Sequence, residues 1–297
     1  KTQTQLAELL QVSFPTFNSW VNGKSVPRKS ALEKIDLLYQ EYTGVAEITD
    51  SELAAKKEKV AGYKKQFPNP LQYILQRQDV YETFVLELTY HTNSIEGSTF
   101  TEPEVRAVIF DGVTIPDKTV VEHQEAKNHQ AALGNLMQWL TEHKQPKQIT
   151  DALLKKLHAI LMNGIRTDAG NYRRHGVRIV GSHVPTTNYL RIDSRMQEFI
   201  HSVQIKSGND SIAHLAKIHA QFEQIHPFAD GNGRVGRLLM HAQALQHGLP
   251  PILIKQEKKQ AYYSYLQRAQ LEEKYIFLES FIYDGLLESY ALLQASR

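Results

Sequence analysis

The sequence predicts an all-α fold with one small β-hairpin and a small N-terminal helix-turn-helix unit. Apolar residues recur every three or four positions in many windows, such as residues 71–94 and 211–226, which is the period of an amphipathic helix. The alternation typical of a strand is convincing only in residues 176–185, where glycine and proline bound Val177 and Ile179. We therefore expect helices along most of the chain and a short hairpin at 176–185.

The composition limits the partners, the chemistry and the compartment that we expect for this protein. The 34 basic and 32 acidic side chains leave a formal net charge of +2, which does not argue for a nucleic acid or a membrane surface as partner. The absence of cysteine excludes disulfides and thiolate chemistry and fits a reducing, cytoplasmic compartment. No apolar run approaches the roughly 20 residues of a membrane span. A chain of 297 residues suggests about two domains.

Residues 1–45 are predicted to form a helix-turn-helix module. Leu6 and Leu10 lie on one apolar face of the first helix. Ser13 can cap the second helix, and Gly23 can end it. The rhythm of two short helices joined by a tight turn therefore predicts a compact unit at the start of the chain.

Three stretches of this module resemble the Cro/repressor-type helix-turn-helix family: LAELLQVS, TFNSW and NGKSVP. In that family the second helix enters the major groove of DNA, so the polar residues of this helix would touch bases or phosphates: Thr16, Asn18 and Ser19. Residues 13–22 contain no basic side chain, which weakens the electrostatic signal expected of a phosphate binder. Two interpretations stay open, namely a DNA partner and a helical module for dimerisation or partner docking, including a homodimer.

Residues 46–70 are predicted to link this module to a second domain at 71–297. The segment is polar and lysine-rich, which is typical of a solvated helix, and Asp50 or Ser51 can cap it. Two prolines in FPNP then interrupt the chain.

The stretch HPFADGNGRVGR, residues 226–237, concentrates residue types that a packed core does not need. The helix expected over 211–225 delivers His226 at its end, where Pro227 stops the helix. A glycine-rich loop then runs into a second helix. Free backbone N–H groups and the positive end of the helix dipole make such a junction a cradle for phosphate.

Charged side chains add to this phosphate site. Arg234 and Arg237 are three positions apart, hence on one face of the first turn, and two arginines favour a polyphosphate over a single phosphate. Asp230 supplies a hard oxygen ligand for Mg²⁺. His226 has an ordinary pKa of about 6.5, which suits a base near neutral pH. Together these residues indicate a nucleotide, a metal ion and a base that activates a hydroxyl.

The order His, x, Phe, x, Asp or Glu, Gly-Asn-Gly-Arg, two residues, Arg resembles the signature of the Fic family, and every fixed position matches. The resemblance extends over roughly residues 80–290. GNYRRHGVRIVGSHVP, at 170–185, is similar to the family's flap, a hairpin that pins a target segment by strand addition. It assigns target binding to three flap residues: Val177, Ile179 and Val180. AYYSYLQRAQ, at 261–270, resembles the helix that lines the adenine pocket.

The resemblance implies a Fic helical core that transfers AMP from ATP, with Mg²⁺, to a Ser, Thr or Tyr hydroxyl of a target protein. By position, His226 is the catalytic base and Asp230 is the metal ligand. The same matching of positions assigns nucleotide binding to six residues: Gly231, Asn232, Gly233, Arg234, Arg237 and Tyr263. In these roles the glycine amides and the asparagine cradle phosphates, the two arginines neutralise phosphate charge, and the tyrosine contacts the base.

A second stretch, TNSIEG at 92–97, resembles the inhibitory motif of the same family. Its position before the signature implies inhibition in cis by a helix at about 79–96. Glu96 would then pair with Arg237 and occupy the place that the γ-phosphate needs. Under an alternative interpretation, Glu96 orients a water molecule that removes AMP from a modified protein.

Two other functions are compatible with the same residues. One is transfer of another phosphate-containing group, because a phosphate cradle recognises phosphates better than bases. The other is a DNA-binding regulator whose Fic domain only senses nucleotide. The histidines of VVEHQEAKNHQ, residues 120–130, are six positions apart rather than the four that zinc helices prefer, so we expect a solvated helix face there.

Overall fold

The computed structural model describes residues 2–44, 48–142, 148–179, 182–205 and 210–296. Within these ranges the secondary structure consists of α-helices and two short 3₁₀ turns, which confirms the all-α prediction. The helices are α1 (Gln3–Leu9), α2 (Phe14–Val21), α3 (Lys29–Thr43), α4 (Asp50–Gln66), α5 (Pro70–Gln76), α6 (Gln78–Glu96), α7 (Glu102–Phe110), α8 (Val120–Thr141), α9 (Asp151–Leu161), α10 (Ile192–Gln204), α11 (Ser211–Ile225), α12 (Asn232–Gln246), α13 (Lys259–Glu272) and α14 (Ile276–Ala295). Among the helices of these ranges, none combines the length and the apolar content of a membrane span.

The chain divides into two compact units, of which the first comprises Lys1–Glu47 and Glu257–Ser264. Its apolar core joins α1 and α2 through three buried side chains, Ala7, Leu10 and Phe17. Ser13 caps α2 by accepting a hydrogen bond from the Thr16 amide at 3.3 Å. The two helices and their short turn therefore follow the sequence pattern, while the relation to the Cro/repressor-type family stays a prediction.

The second unit comprises Ile48–Gln256 and Tyr265–Arg297. Its helix α4 corrects the idea of a solvated linker at 46–70, because α4 packs on α14. Leu53 and Val60 are buried, and lysines on the same helix pair with acidic residues of α14: Lys56 with Asp284 at 2.7 Å and Lys57 with Glu279 at 2.8 Å. Thr49, rather than Asp50 or Ser51, caps this helix in a capping box with Glu52.

Helices α11 and α12 pack against each other at the centre of the second unit. The face predicted for α11 is buried at Ile212, Leu215, Ile218 and Phe222. Gly236 lets the two helices approach closely, because a Cβ at this position would overlap the Glu223 carboxylate and lie 3.1 Å from a Phe222 ring carbon. The twelve-residue stretch 226–237 joins this close pair, since it runs from the end of α11 into the first turns of α12.

The hairpin predicted at 176–185 is wrong for the residues that the structure describes, since 176–179 and 182–185 form no strand. Side chains bind the carbonyls and amides that a strand ladder would need. Thr186 Oγ1 donates to the Val177 carbonyl at 2.9 Å, and the Val184 amide donates to Ser182 Oγ at 3.1 Å. The alternating pattern therefore marks an irregular segment with local side-chain bonds, and Val180 lies outside the described residues.

The packing of α11 against α12 predicts that Gly236→Ala destabilises the protein. We expect a loss of about 1–3 kcal/mol in the free energy of unfolding, because overpacking forces neighbours off their preferred positions. Gly62→Ala in α4 is the matched control, since nothing lies within 4 Å of its added Cβ, and alanine should stabilise that helix by about 0.5–1 kcal/mol. Urea unfolding of both variants measures the difference, and equal stability of the two would contradict the packing argument.

Candidate active site

The loop between α11 and α12 is closed by one asparagine. Asn232 Oδ1 accepts the Phe228 N–H at 2.8 Å, while its Nδ2 donates to the Phe228 carbonyl at 2.9 Å. Both ends of the side-chain amide are therefore engaged within the loop, and the role of Asn232 in cradling phosphate stays a prediction. What Asn232 can offer an anion is its backbone N–H at the start of α12.

Helix α12 begins with an uncapped N-terminus. Gly231 precedes it with a φ of +76°, a left-handed conformation that suits glycine, and no side chain caps the first turn. The Gly231 amide donates to Asp230 Oδ1 at 2.6 Å, so this amide is already engaged. The N–H groups of the first turn of a helix have no intrahelical partner, so this turn has the geometry that suits an anion.

A histidine that the sequence reasoning missed supports this loop from α9. The His158 ring stacks on Phe228 with ring centroids 3.8 Å apart. His158 Nε2 donates to the Asp230 carbonyl at 3.1 Å, and its Nδ1 accepts the Gly170 N–H at 2.8 Å. Burial lowers the pKa of His158 to about 4, so the ring is neutral at neutral pH and keeps this bonding pattern.

His226 ends α11 in the left-handed conformation, with a φ of +51°. Its Nδ1 lies 3.2 Å from the Glu223 carbonyl, which only accepts, so Nδ1 carries the proton and Nε2 keeps the lone pair. Burial lowers the pKa of His226, and the positive charge of Arg173 lowers it further, against the opposing effects of Glu96 and Asp230. The imidazole is therefore neutral at neutral pH and able to accept a proton at Nε2.

Arg234 is 3% exposed and pairs with α8. Its Nη1 donates to Glu125 Oε1 at 2.7 Å, while Asp230 Oδ1 lies 3.7 Å from its Nη2. The solvated face predicted for 120–130 is therefore wrong at Glu125 and also at His129, which is buried against Thr89. Spacing along α8 gave no sign of this pair, since a lone glutamate on a helix is usually solvated.

Arg237 is equally buried and binds the end of α6. Its Nε donates to Thr92 Oγ1 at 2.5 Å, and its Nη2 donates to Glu96 Oε1 at 2.5 Å. Gly97, with a φ of +111°, ends α6 directly after this glutamate. The structure thus places Glu96 of the inhibitory motif and Arg237 of the signature in contact. A Cβ at Gly233 would overlap the Glu96 carboxylate, so this carboxylate lies over the first turn of α12.

Asp230 is the acidic group that the loop offers to a cation. Its side chain is 54% exposed, and the described residues contain no cluster of three or more acidic or histidine side chains that would hold a metal by themselves. Mg²⁺ in nucleotide sites takes one or two carboxylates and completes its shell with phosphates and water. A single exposed carboxylate beside an anion-binding turn fits that donor set.

Glu223 is a second titratable group that sequence reasoning did not find. Its carboxyl is buried between α11 and α12, and burial raises its pKa to about 8, while the positive Arg237 acts in the opposite direction. Oε1 of this carboxyl has no hydrogen-bond partner among the described residues. At neutral pH the group is therefore mostly protonated and uncharged.

The remaining predicted site residues lie as follows. Tyr263 belongs to α13 in the first unit, where it is 39% exposed, tilts against Tyr262 and lies 5.8 Å from Lys259 Nζ. Its contact with the adenine base of the nucleotide stays a prediction. Val177 and Ile179 are partly buried in the irregular segment described above.

The chain is similar to known proteins over this region. Residues 148–244 match the Fic/DOC family. Protein adenylyltransferase Fic of Nematostella vectensis is 31% identical over 210 residues, which cover 69% of this chain and 48% of the relative. Protein adenylyltransferase fic-1 of Caenorhabditis elegans is 31% identical over 197 residues, which cover 66% of this chain and 38% of the relative. The chain thus spans about half or less of these relatives.

Solved structures share the fold. Fic-1 (residues 134–508) from Caenorhabditis elegans superposes with a TM-score of 0.69 at 20% identity, covering 99% of this chain and 85% of that one. A Fic domain containing signaling protein from Bacteroides thetaiotaomicron gives a TM-score of 0.62 at 18% identity, covering 88% of this chain and 98% of that one.

The buried Glu223 predicts a specific pH dependence of stability. The unfolded chain releases this proton above its ordinary pKa of about 4.5, whereas the folded protein holds it up to about 8. Between these values the folded state binds more protons, so a rise in pH favours unfolding; below 4.5 and above 8 the effect is constant. Glu223→Gln removes this titration and leaves the other groups in place. Urea unfolding midpoints of the parent and of Glu223→Gln measure the difference in their stability. As the pH rises from about 5 to 8, this difference should change in favour of Glu223→Gln. A difference that is independent of pH would show that Glu223 does not titrate as described.

Proposed function

Because the chain belongs to the Fic/DOC family, we propose that it is a protein adenylyltransferase, which moves AMP from ATP to a Ser, Thr or Tyr hydroxyl of a target protein. The observation that carries the proposal is the pairing of a neutral imidazole with an open helix N-terminus. His226 ends α11 with its Nε2 lone pair available, and α12 begins with amides that no side chain caps.

The first turn of α12 supplies the charge for phosphate binding. Its N–H groups and the positive end of the helix dipole favour an anion. Arg234 and Arg237 add two buried positive charges beside this turn. In a buried site such preorganised charges stabilise a transferring phosphoryl group more than they would in water.

His226 acts as the general base of the transfer. Its Nε2 takes the proton of the target hydroxyl while that oxygen forms a bond to the α-phosphorus of ATP. The bond between the α-phosphorus and the bridging oxygen breaks, and pyrophosphate leaves. The low pKa that burial gives the imidazole keeps it free to accept this proton at neutral pH.

Asp230 would hold the Mg²⁺ ion that accompanies ATP. When bound, this ion would neutralise charge on the phosphates. Asp230 is suited to the role because its carboxylate is largely exposed and its backbone is fixed by His158. The irregular segment around Val177 and Ile179 would receive the target chain, as the resemblance to the family's flap implies.

Glu96 holds the protein in a restrained state. Its carboxylate binds Arg237 and lies over Gly233, so a triphosphate at α12 would meet a negative charge at the place of its outer phosphate. Like charges in a buried site repel strongly. ATP can then align only when Glu96 leaves this position, which makes the glutamate an inhibitor in cis.

This restraint predicts that Glu96→Gly raises labelling by ATP that carries a fluorescent tag on the adenosine moiety. We expect at least about a tenfold rise in auto-modification, equivalent to about 1.4 kcal/mol. Glu82→Gly, in the same helix, controls for loss of helix stability. Adding His226→Ala to Glu96→Gly should abolish the labelling. Equal labelling of the parent and Glu96→Gly would refute the inhibition, and labelling that survives the double substitution would exclude His226 as the base.

Two further readouts of this experiment decide between the alternative activities. The mass added to Glu96→Gly names the transferred group and so separates AMP from another phosphate-containing group. Incubating the AMP-modified variant with the parent chain tests whether Glu96 supports removal of AMP, since removal would release free AMP. A nucleotide sensor would bind ATP and show neither reaction.

The N-terminal unit would contribute DNA binding if its second helix enters the major groove. The observation that favours this is the exposure of Thr16 on α2, together with partly exposed Asn18 and Ser19. The alternative is docking of a partner protein or of a second copy.

The DNA interpretation predicts a mobility shift of genomic fragments by the full chain at micromolar concentration and low salt. We expect the shift to disappear by about 200 mM salt, because binding to phosphates weakens steeply with salt. Thr16→Ala should weaken the shift. A chain that shifts no fragment at low salt would leave docking as the role of this unit.

A further inference from the structure

One buried guanidinium binds three separate parts of the second unit. Arg173 Nε donates to the His226 carbonyl at 2.8 Å, its Nη1 donates to the His175 carbonyl at 2.7 Å, and its Nη2 donates to the Thr187 carbonyl at 2.5 Å. Its backbone N–H donates to the Pro227 carbonyl at 3.0 Å. The residue is 3% exposed.

These partners lie at functionally distinct places. His175 and Thr187 flank the irregular segment that resembles the flap, one at each end. His226 is the base at the end of α11, and Pro227 follows it in the loop. A single side chain thus ties both ends of the flap segment to the backbone of the catalytic histidine.

The geometry requires arginine. Its planar fork carries five N–H donors in fixed directions, so it can reach three carbonyls at once. A lysine at this position would keep the charge but has one compact ammonium group, which cannot span the same three acceptors. Alanine or methionine would leave three carbonyls without these donors in a buried place.

The charge of Arg173 has its own effect on His226. Its three side-chain partners are neutral carbonyls, so no carboxylate among them cancels its charge, and burial lowers its own pKa. Beside His226, this charge opposes protonation of the imidazole, as burial does, whereas Glu96 and Asp230 favour protonation. The Glu223 carbonyl favours it as well, through its bond to Nδ1.

We propose that Arg173 is the positioning residue that holds the flap and His226 in one geometry, so that the hydroxyl presented by the flap arrives at Nε2. The proposal rests on the proposed adenylyl transfer and adds a residue to it. It assigns to Arg173 the link between target binding and the base, with no contact to the nucleotide itself.

The test compares Arg173→Lys, which keeps the charge, and Arg173→Met, which removes it, in the full chain carrying Glu96→Gly. Arg174→Lys is the matched control, because Arg174 is the exposed neighbour. With the tagged ATP, we expect both Arg173 variants to lose about 10–100-fold in the rate of auto-modification, since small misplacements of reacting groups have effects of this size. Affinity for α,β-methylene-ATP with Mg²⁺ should change by less than about threefold, because binding of the nucleotide is not affected.

The pH profile separates the two effects of the side chain. The acid limb of the rate should move to higher pH in Arg173→Met, because the positive charge beside His226 is lost, and should stay in place in Arg173→Lys. Hydrogen exchange of the amides in 176–187 should accelerate in both variants and stay unchanged in Arg174→Lys. A parent-like rate and exchange in Arg173→Lys, or an unmoved acid limb in Arg173→Met, would overturn the proposal.

Failure of the proposed function gives a different result. If Glu96→Gly with the native Arg173 incorporates no label, the transfer itself is refuted. Hydrogen exchange then decides the positional claim alone: faster exchange of 176–187 in Arg173→Lys than in Arg174→Lys supports it, and equal exchange overturns it. Circular dichroism of each variant shows that the helices are intact before these comparisons are made.

Discussion

The site depends on the two hydrogen bonds that Asn232 makes to the backbone of Phe228. They close the loop between α11 and α12, and this closure sets both where α11 releases His226 and where α12 presents its free amides. Because the amide of Asn232 has a donor and an acceptor at one end, it satisfies both polar groups of Phe228 in a buried place, which few other side chains can do. His158 supports the same loop by stacking on Phe228 and by binding the carbonyl of Asp230.

Two buried arginines surround this loop, and each is balanced by a carboxylate from another helix. Glu125 of α8 pairs with Arg234, and Glu96 of α6 pairs with Arg237. A buried charge without a partner is strongly destabilising. A phosphate would therefore bind Arg237 most favourably by replacing the Glu96 carboxylate. In the proposed function, the barrier to nucleotide binding would then lie in moving Glu96, because Arg237 would keep an anionic partner throughout. Glu96 is the last residue of α6 and directly precedes Gly97.

The sequence predicted the parts of the site that are contiguous. Residues 226–237 carry His226, the start of α12 and both arginines within one stretch, and helical periodicity placed the flanking helices correctly. Glu96 was found only by resemblance. Glu125 and Arg173 were not found, because their partners are distant in sequence or are backbone carbonyls, and neither leaves a spacing pattern. The predicted hairpin failed for a related reason, since alternation of side chains cannot reveal that Thr186 and Ser182 will take its backbone hydrogen bonds.

Burial keeps several titratable groups of this site in their uncharged forms. The pKa of His226 and that of His158 are lowered, and the pKa of Glu223 is raised, in each case chiefly because the charged form loses its hydration. Beside the first turn of α12 stand the charged groups of the two arginines, their two carboxylates and Asp230. In the proposed inhibition, withdrawal of Glu96 would make the local charge more positive while the imidazole stayed neutral. Burial and the positive charge of Arg173 both act against protonation of His226, so both would keep its Nε2 available in the proposed transfer.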